Sequence, residues 1–406
     1  MSEWKKVKLG ELYEVHNGLS KGRQFFGTGF PFLTFSNVFN NWFLPEQLES
    51  LVQTTDKERE ACSIKAGDVF ITRTSETMDE LGMSSVALKD YPNATYNGFT
   101  KRLRPKTDRV FPRYMGYYLR TPKFRGQFMA FSSMTTRASL ANNDLLNMEV
   151  ELPPMDIQKN IATILSRYDS LIENYQKQIK LLEEAARRLY KEWFIDLRFP
   201  GHENTKIVDG LPEGWEKKKA FDFFEMSIGK TPPRTQKQWF TECNNGIPWV
   251  SISDMKDAMF IQNTSEELTL EACEKFNVKI VPKGTILLSF KLTIGRVAFA
   301  GADVCTNEAI AHFQKEGDEW KAYTLMYLRN YNYDSLGNTS GISKAVNSTI
   351  IKNMPFVMPC IPILQEYSQR VLPIIKQIES LQSQIRLLTE ARDRLLPKLM
   401  SGEITV

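Results

Sequence analysis

Residues Ile157 to Phe194 read IQKNIATILSRYDSLIENYQKQIKLLEEAARRLYKEWF, without Gly or Pro, and this stretch constrains the rest of the chain. Apolar side chains recur in steps of four and three at Ile161, Leu165, Tyr168, Ile172, Tyr175, Ile179, Leu182, Ala186, Leu189 and Trp193. That spacing is a narrow seam on one face of an α-helix. At 1.5 Å per residue the helix is roughly 55 Å long. A seam of that length needs cover, and the chain supplies it. QIKLLEEA from Gln178 recurs as QIRLLTEA from Gln384, and the second seam runs through Val371, Ile374, Ile378, Leu381, Ile385, Leu388, Leu395 and Leu399. Arg392 breaks it where the first has Ala186. The spacing predicts an antiparallel coiled coil with Ile172, Ile179, Leu182 and Leu189 facing Ile378, Ile385, Leu388 and Leu395.

The repeat is not confined to the helices. Trp4 recurs at Trp215, Pro31-Phe32-Leu33 at Pro248-Trp249-Val250, Gly67 at Gly284, Tyr118-Leu119-Arg120 at Tyr327-Leu328-Arg329, and Asn147-Met148 at Asn353-Met354. The offsets run from 206 to 217 and the order is never broken. Chance likeness of two amphipathic helices does not do this, so the chain is a tandem duplication. Short runs such as Asp68–Thr72 and Thr285–Ser289, bounded by Gly or Pro, read as strands. Helical patterns cover Arg113–Leu119 and Lys321–Arg329. The expected fold is mixed α/β: a first globular domain at 1–152, a long helix at 153–196 and a linker at 197–214. A second domain follows at 215–358, then a second long helix and tail at 359–406. Pro373 is expected to kink or delay that helix and Pro397 to end it.

Several chemistries are excluded. Ile228-Gly229-Lys230-Thr231 holds the GKT of a phosphate loop, but Phe224 stands where the first Gly belongs. Phe25-Phe26-Gly27-Thr28-Gly29 fits the FxGxG of adenine methyltransferases, yet the Pro-Pro partners end in Met155 and Arg234 rather than an aromatic. His16, His202 and His312 have no ligand spacing. The five Cys form no CxxC pair and suit a reducing cytoplasm; no apolar run spans a bilayer. No catalytic residue, metal site or directly bound cofactor is expected.

What the sequence does carry is polar, cationic loops at matching places in both copies. The net charge of +4 permits a nucleic-acid partner. In the first copy the candidates are Lys21, Arg23, Arg73, Ser75, Lys101, Arg102, Thr136 and Arg137. In the second they are Lys230, Thr231, Arg234, Ser253, Lys291, Arg296, Asn307, Ser340 and Lys344. Arg and Lys neutralise phosphates and reach guanine edges, and Asn pairs with adenine. Two unlike readers on a spacer of roughly 50 Å predict an asymmetric target in two parts, about 15 base pairs apart at 3.4 Å per pair.

Gly229-Lys230-Thr231-Pro232, Ile247–Asp254, Gly284–Ser289, Ile294–Ala298, Thr306–Ile310, Leu152-Pro153-Pro154 with Gln158, and the ending Leu399–Ile404 together resemble the specificity subunit of type I restriction-modification systems over nearly the whole chain. The resemblance implies a non-catalytic, cytoplasmic DNA-binding subunit with two target-recognition domains. It implies assembly with two modification subunits and with restriction subunits, which would carry S-adenosylmethionine, ATP and magnesium. The first copy departs from the pattern, with Gly18-Leu19-Ser20-Lys21 in place of the Gly-Thr-Pro turn, and the second has Cys360-Ile361-Pro362 in place of a Pro-Pro pair. A single-chain DNA methyltransferase and a coiled-coil adaptor without a DNA role are the rival readings.

Overall fold

Each half builds its main sheet from runs whose side chains are buried on both faces, Val69–Thr72 in the first and Ile286–Ser289 in the second. The computed structural model describes residues 4–75, 81–131, 138–241, 245–256, 258–336 and 346–406. The chain divides into one unit of residues 1–171 with 388–406 and another of residues 172–387.

In the first unit a four-stranded sheet runs Tyr13–Asn17, Thr100–Pro105, Val69–Thr72, Ser84–Val86, and a three-stranded sheet pairs Leu51–Val52, Phe26–Leu33 and Thr95–Tyr96. The second unit repeats the plan. Its five-stranded sheet runs Glu225–Ile228, Ile310–Gln314, Ile286–Ser289, Val297–Ala300, Phe260–Ile261. Its smaller sheet joins Ile247–Val250 in parallel to Cys305–Thr306, as Phe26–Leu33 joins Thr95–Tyr96. The two helical patterns become Pro112–Tyr118 and Lys321–Asn330. Each of these helices is followed by an arginine that turns back to the sheet or lies in its last turn. Arg120 Nε donates to the Ser84 carbonyl at 2.6 Å, and Arg329 Nε to the matching Val297 carbonyl at 3.3 Å.

The first long helix is Met155–Tyr190, closing in a π-turn over Lys191–Ile195, and the second is Ile361–Met400. The second is not delayed by Pro373, which lies twelve residues inside it, and does not stop at Pro397. Pro362 sits in its first turn, where a missing N–H costs nothing. The helices run antiparallel within each unit. In the first, Ile161 and Leu165 share a core with Leu396 and Leu399. In the second, Ala186, Tyr190 and Trp193 share one with Tyr367, Val371, Ile375 and Ile378, and the Trp193 and Tyr367 rings lie 5.6 Å apart. Ile179, Leu182 and Leu189 pack against that core and Leu395 against the first, while Ile172, Ile385 and Leu388 are half-buried.

Arg392 is no flaw in the seam. Its Nη1 donates to Asp169 Oδ1 at 2.8 Å, its guanidinium lies 5.3 Å from the Trp42 ring centre, and the Tyr117 hydroxyl donates to the other Asp169 oxygen. At the repeat offsets the four corresponding positions are Ala186, Ile375, Met259 and Met326, all buried in the second unit's core. One half meets its helices through a polar knot and the other through apolar packing.

Candidate nucleic-acid interface

The register of the five-stranded sheet decides where the second set of loops goes. Ile228 pairs with Ala311, Ser289 with Ile310, and Leu288 with Val297, so two strands leave and two enter at one end. That end carries Lys230, Thr231 and Arg234 on one loop, Lys291 and Arg296 on the next, and Asn307 on a third. Residues spread over nearly eighty positions of sequence are gathered at one sheet end.

The loops are braced. An added Cβ on Gly229 would stand 2.2 Å from the Asn307 carbonyl oxygen and 2.4 Å from that of Thr306, so only Gly lets the two loops touch. Lys230 N donates to the Thr306 carbonyl at 2.9 Å, and its ammonium reaches the Phe276 carbonyl at 2.6 Å. Arg234 lies 4.2 and 4.5 Å from the Phe240 and Trp249 ring centres and donates through Nη1 to both Glu266 oxygens at 2.8 and 2.7 Å. Arg296 Nη1 donates to the Ile252 carbonyl at 2.6 Å, which ties Ser253 and its partner Ser251 to the same end. Asn307 spends its side-chain oxygen on the Ala309 N–H at 3.1 Å. Lys291 is exposed with its ammonium 5.8 Å from the Phe290 ring centre.

Glu308 was absent from the sequence candidates, although its motif stood out. Burial alone would raise its carboxyl, but a hydrogen bond from the Thr231 hydroxyl and the charges of Lys291 and Arg234 hold it below the usual range. The acid therefore stays ionised among the cations. Below the loops, His312 is fully buried between Ser227 Oγ at 2.8 Å and Thr306 Oγ1 at 2.7 Å. Burial, helped by Lys279, pushes it down to about 4. An unfolded histidine takes up a proton near pH 6.5 and this one does not, so stability should be lost as pH falls from about 6.5 to about 4, by roughly 3 kcal/mol. Thermal unfolding of the wild type and His312→Gln across that window checks this: the variant should show the shallower decline.

The first unit uses the same device. Gly18 matches Gly229, and its added Cβ would stand 2.2 Å from the Asn97 carbonyl oxygen. Arg73 and Lys101 lie at the corresponding sheet end, where Lys101 Nζ donates to Asn142 and the Arg73 Nε is buried without a hydrogen bond. Burial first, and Arg73 second, lower the Lys101 ammonium. Arg23 is exposed. Two candidates are committed to the fold instead. Arg102, 3% exposed, points to the opposite face and donates to the Ser63 carbonyl at 2.6 Å. Lys21 pairs with Glu58 at 2.8 Å and donates to the Gln53 carbonyl at 2.8 Å. Ser75 ends the short strand Thr74–Ser75, while Thr136, Arg137, Ser340 and Lys344 lie outside the described residues.

The Gly27-Thr28-Gly29 motif is a bulge. Phe26 and Phe30 both pair with Val52, and both glycines have φ above 100° or at it. Among the described residues no cluster of metal-ligating side chains occurs, and no helix is long and apolar enough to cross a membrane.

Two mixed α/β units, each ending its main sheet in glycine-braced polar loops and each closing on the same pair of long helices, define a duplicated DNA-recognition scaffold. The family model described as "Type I restriction modification DNA specificity domain" matches residues 1–184 and 212–390, and the chain belongs to that family. It is 28% identical to the type I restriction enzyme MjaIX specificity subunit of Methanocaldococcus jannaschii, over 100% of this chain and 94% of that one. It is 22% identical to the HindI specificity subunit of Haemophilus influenzae, over the full length of both. The crystal structure of the type I restriction-modification S subunit from M. genitalium superposes with a TM-score of 0.59, covering 98% of this chain and 96% of that chain at 14% identity, which shows a shared fold. The chain is a DNA sequence-specificity subunit of the type I restriction-modification class.

Proposed function

We propose that each half reads one part of an asymmetric duplex target, and that the chain does so without catalysing a reaction itself. The observation that carries this is the convergence of Lys230, Thr231, Arg234, Lys291, Arg296 and Asn307 on one sheet end, with Arg23 and Arg73 on the matching loops of the first half and the buried Lys101 on the strand beneath them. Lys291 is the phosphate contact: exposed, without an ion pair among the described residues, it resembles the side chains that position a protein on a duplex. Because the two sets of loops differ, the two parts of the target differ as well.

In this reading the long helices receive two modification subunits, which carry S-adenosylmethionine, and restriction subunits that use ATP and magnesium. The exposed, charged faces of the first helix, including Lys177, Lys180 and Arg187, support it. The complex works on cytoplasmic DNA.

Replacing residues 215–358 with the second domain of another family member is the direct test. Methylation mapping should show one part of the target changed and the other kept; a change in both would defeat the two-reader assignment. Lys291→Ala should weaken binding about equally across sequences and lower the slope of log K against log salt by about one.

A further inference from the structure

The loop between strands Ile286–Ser289 and Val297–Ala300 carries a leucine held where leucines are not comfortable. Leu292 is 98% exposed and has φ +60°. It is the centre of a three-residue turn closed by Thr293 N donating to the Lys291 carbonyl at 2.6 Å. A turn of that hand is rare, and a left-handed backbone strains any residue with a Cβ. Singly exposed apolar side chains are ordinary on protein surfaces. A fully exposed leucine held on a left-handed backbone is not, because glycine or asparagine would fill the position with less strain.

The rest of the loop keeps the turn in place. Ser289 Oγ donates to the Thr293 carbonyl at 2.6 Å and accepts from Arg296 N at 3.0 Å, while Gly295 N donates to the Ser289 carbonyl at 3.0 Å. Phe290, fully buried, anchors the entering side by donating its N–H to the Ala309 carbonyl at 2.9 Å. A rigid base with an exposed apolar tip is a probe. The tip adjoins Lys291 and belongs to the sheet end that also carries Arg234, Thr231 and the ionised Glu308.

Resting on the DNA-reading assignment above, we propose that Leu292 enters a groove of the second half's target and makes apolar contact with a base. Lys291 holds the neighbouring phosphate. Two contacts suit a leucine there: packing on a thymine methyl, or wedging between adjacent bases.

The test uses the full chain and a duplex carrying the target identified by methylation mapping. Leu292→Gly relieves the backbone, so its unfolding midpoint should equal or exceed that of the wild type while its Kd for the duplex rises about tenfold. Leu292→Asn, which tolerates the same backbone, should lose binding to the same extent. Stability held or gained with affinity lost is a combination that a merely structural leucine does not give. Uracil in place of each thymine of the second part reproduces the loss at one position if the methyl is touched. A rise in 2-aminopurine fluorescence on binding, absent with Leu292→Gly, marks a wedge instead. If Leu292→Gly binds within twofold of a wild type that itself binds, the inference fails and DNA reading stands. If the variant binds DNA normally but no longer assembles with modification subunits, the tip is a protein contact and the inference fails too. A wild type that binds no duplex overturns both readings.

Discussion

Arg392→Ala should destabilise the first unit by about 3 kcal/mol, a fall in its unfolding midpoint of roughly 6–12 °C. The guanidinium is mostly covered, 15% exposed, and Asp169 is 28% exposed. Removing Arg392 leaves the carboxylate with the Tyr117 hydroxyl alone, and also strips the packing on Trp42. An exposed ion pair would be worth under about 1 kcal/mol. Here the damage comes from the charge left behind in a covered seam, so the figure lies nearer the buried case. The second unit shows what the alternative looks like, since Ala186 and Ile375 occupy the matching positions. Asp169→Ile with Arg392→Ala should therefore recover at least half of the loss of the single variant. Denaturant unfolding of the wild type, both single variants and the double completes a thermodynamic cycle. A double variant as unstable as the sum of the two singles would show that the pair does not act as a unit.

The contrast between the two halves explains which parts of the fold were legible beforehand. A seam with steps of four and three is a property of one strand of sequence, and Ile161 to Trp193 announced their helix without reference to anything else. The duplication was legible for the same reason: Tyr118-Leu119-Arg120 and Tyr327-Leu328-Arg329 match by inspection. Arg392 looked like an interruption because its meaning lies in Asp169, 223 residues away. Lys21 and Arg102 looked like DNA ligands because a cation in a polar loop has the same appearance whether its partner is a phosphate or the chain's own Glu58 and Ser63 carbonyl. Pro373 looked like a kink or a late start and Pro397 like a stop, and the helix Ile361–Met400 runs through both. Strand alternation could have separated Lys101 from Arg102, since neighbours on a strand face opposite ways. No comparable spacing in the sequence marks Glu308, whose place depends on where Thr231 and Arg234 on one loop and Lys291 on another are brought.

Gly229→Ala should abolish recognition of the second part of the target, with binding of the cognate duplex reduced at least about a hundredfold. The new methyl would lie 2.0 Å from Thr306 Oγ1 and within 2.4 Å of two backbone oxygens, and no rotamer change removes a backbone clash. The loop of Lys230, Thr231 and Arg234 must then lift from the loop of Thr306 to Ala309. That motion breaks the Lys230 N to Thr306 carbonyl bond and separates Thr231 from Glu308. The cost in stability is that of an overpacked site, about 1–3 kcal/mol. A loss of that size leaves the protein folded while its reading surface is taken apart, so binding falls further than stability does. Gly126→Ala is the matched control. Gly126 sits exposed in the helix Pro122–Phe131 with nothing within 4 Å of an added Cβ. Helix propensity alone then favours alanine, by about 0.5–1 kcal/mol, with no change in DNA binding. Measured side by side by thermal unfolding and duplex titration, the two should move in opposite directions in stability, and only Gly229→Ala should lose the duplex. Equal DNA affinity in both variants would mean that the contact of the two loops does not shape the reading surface.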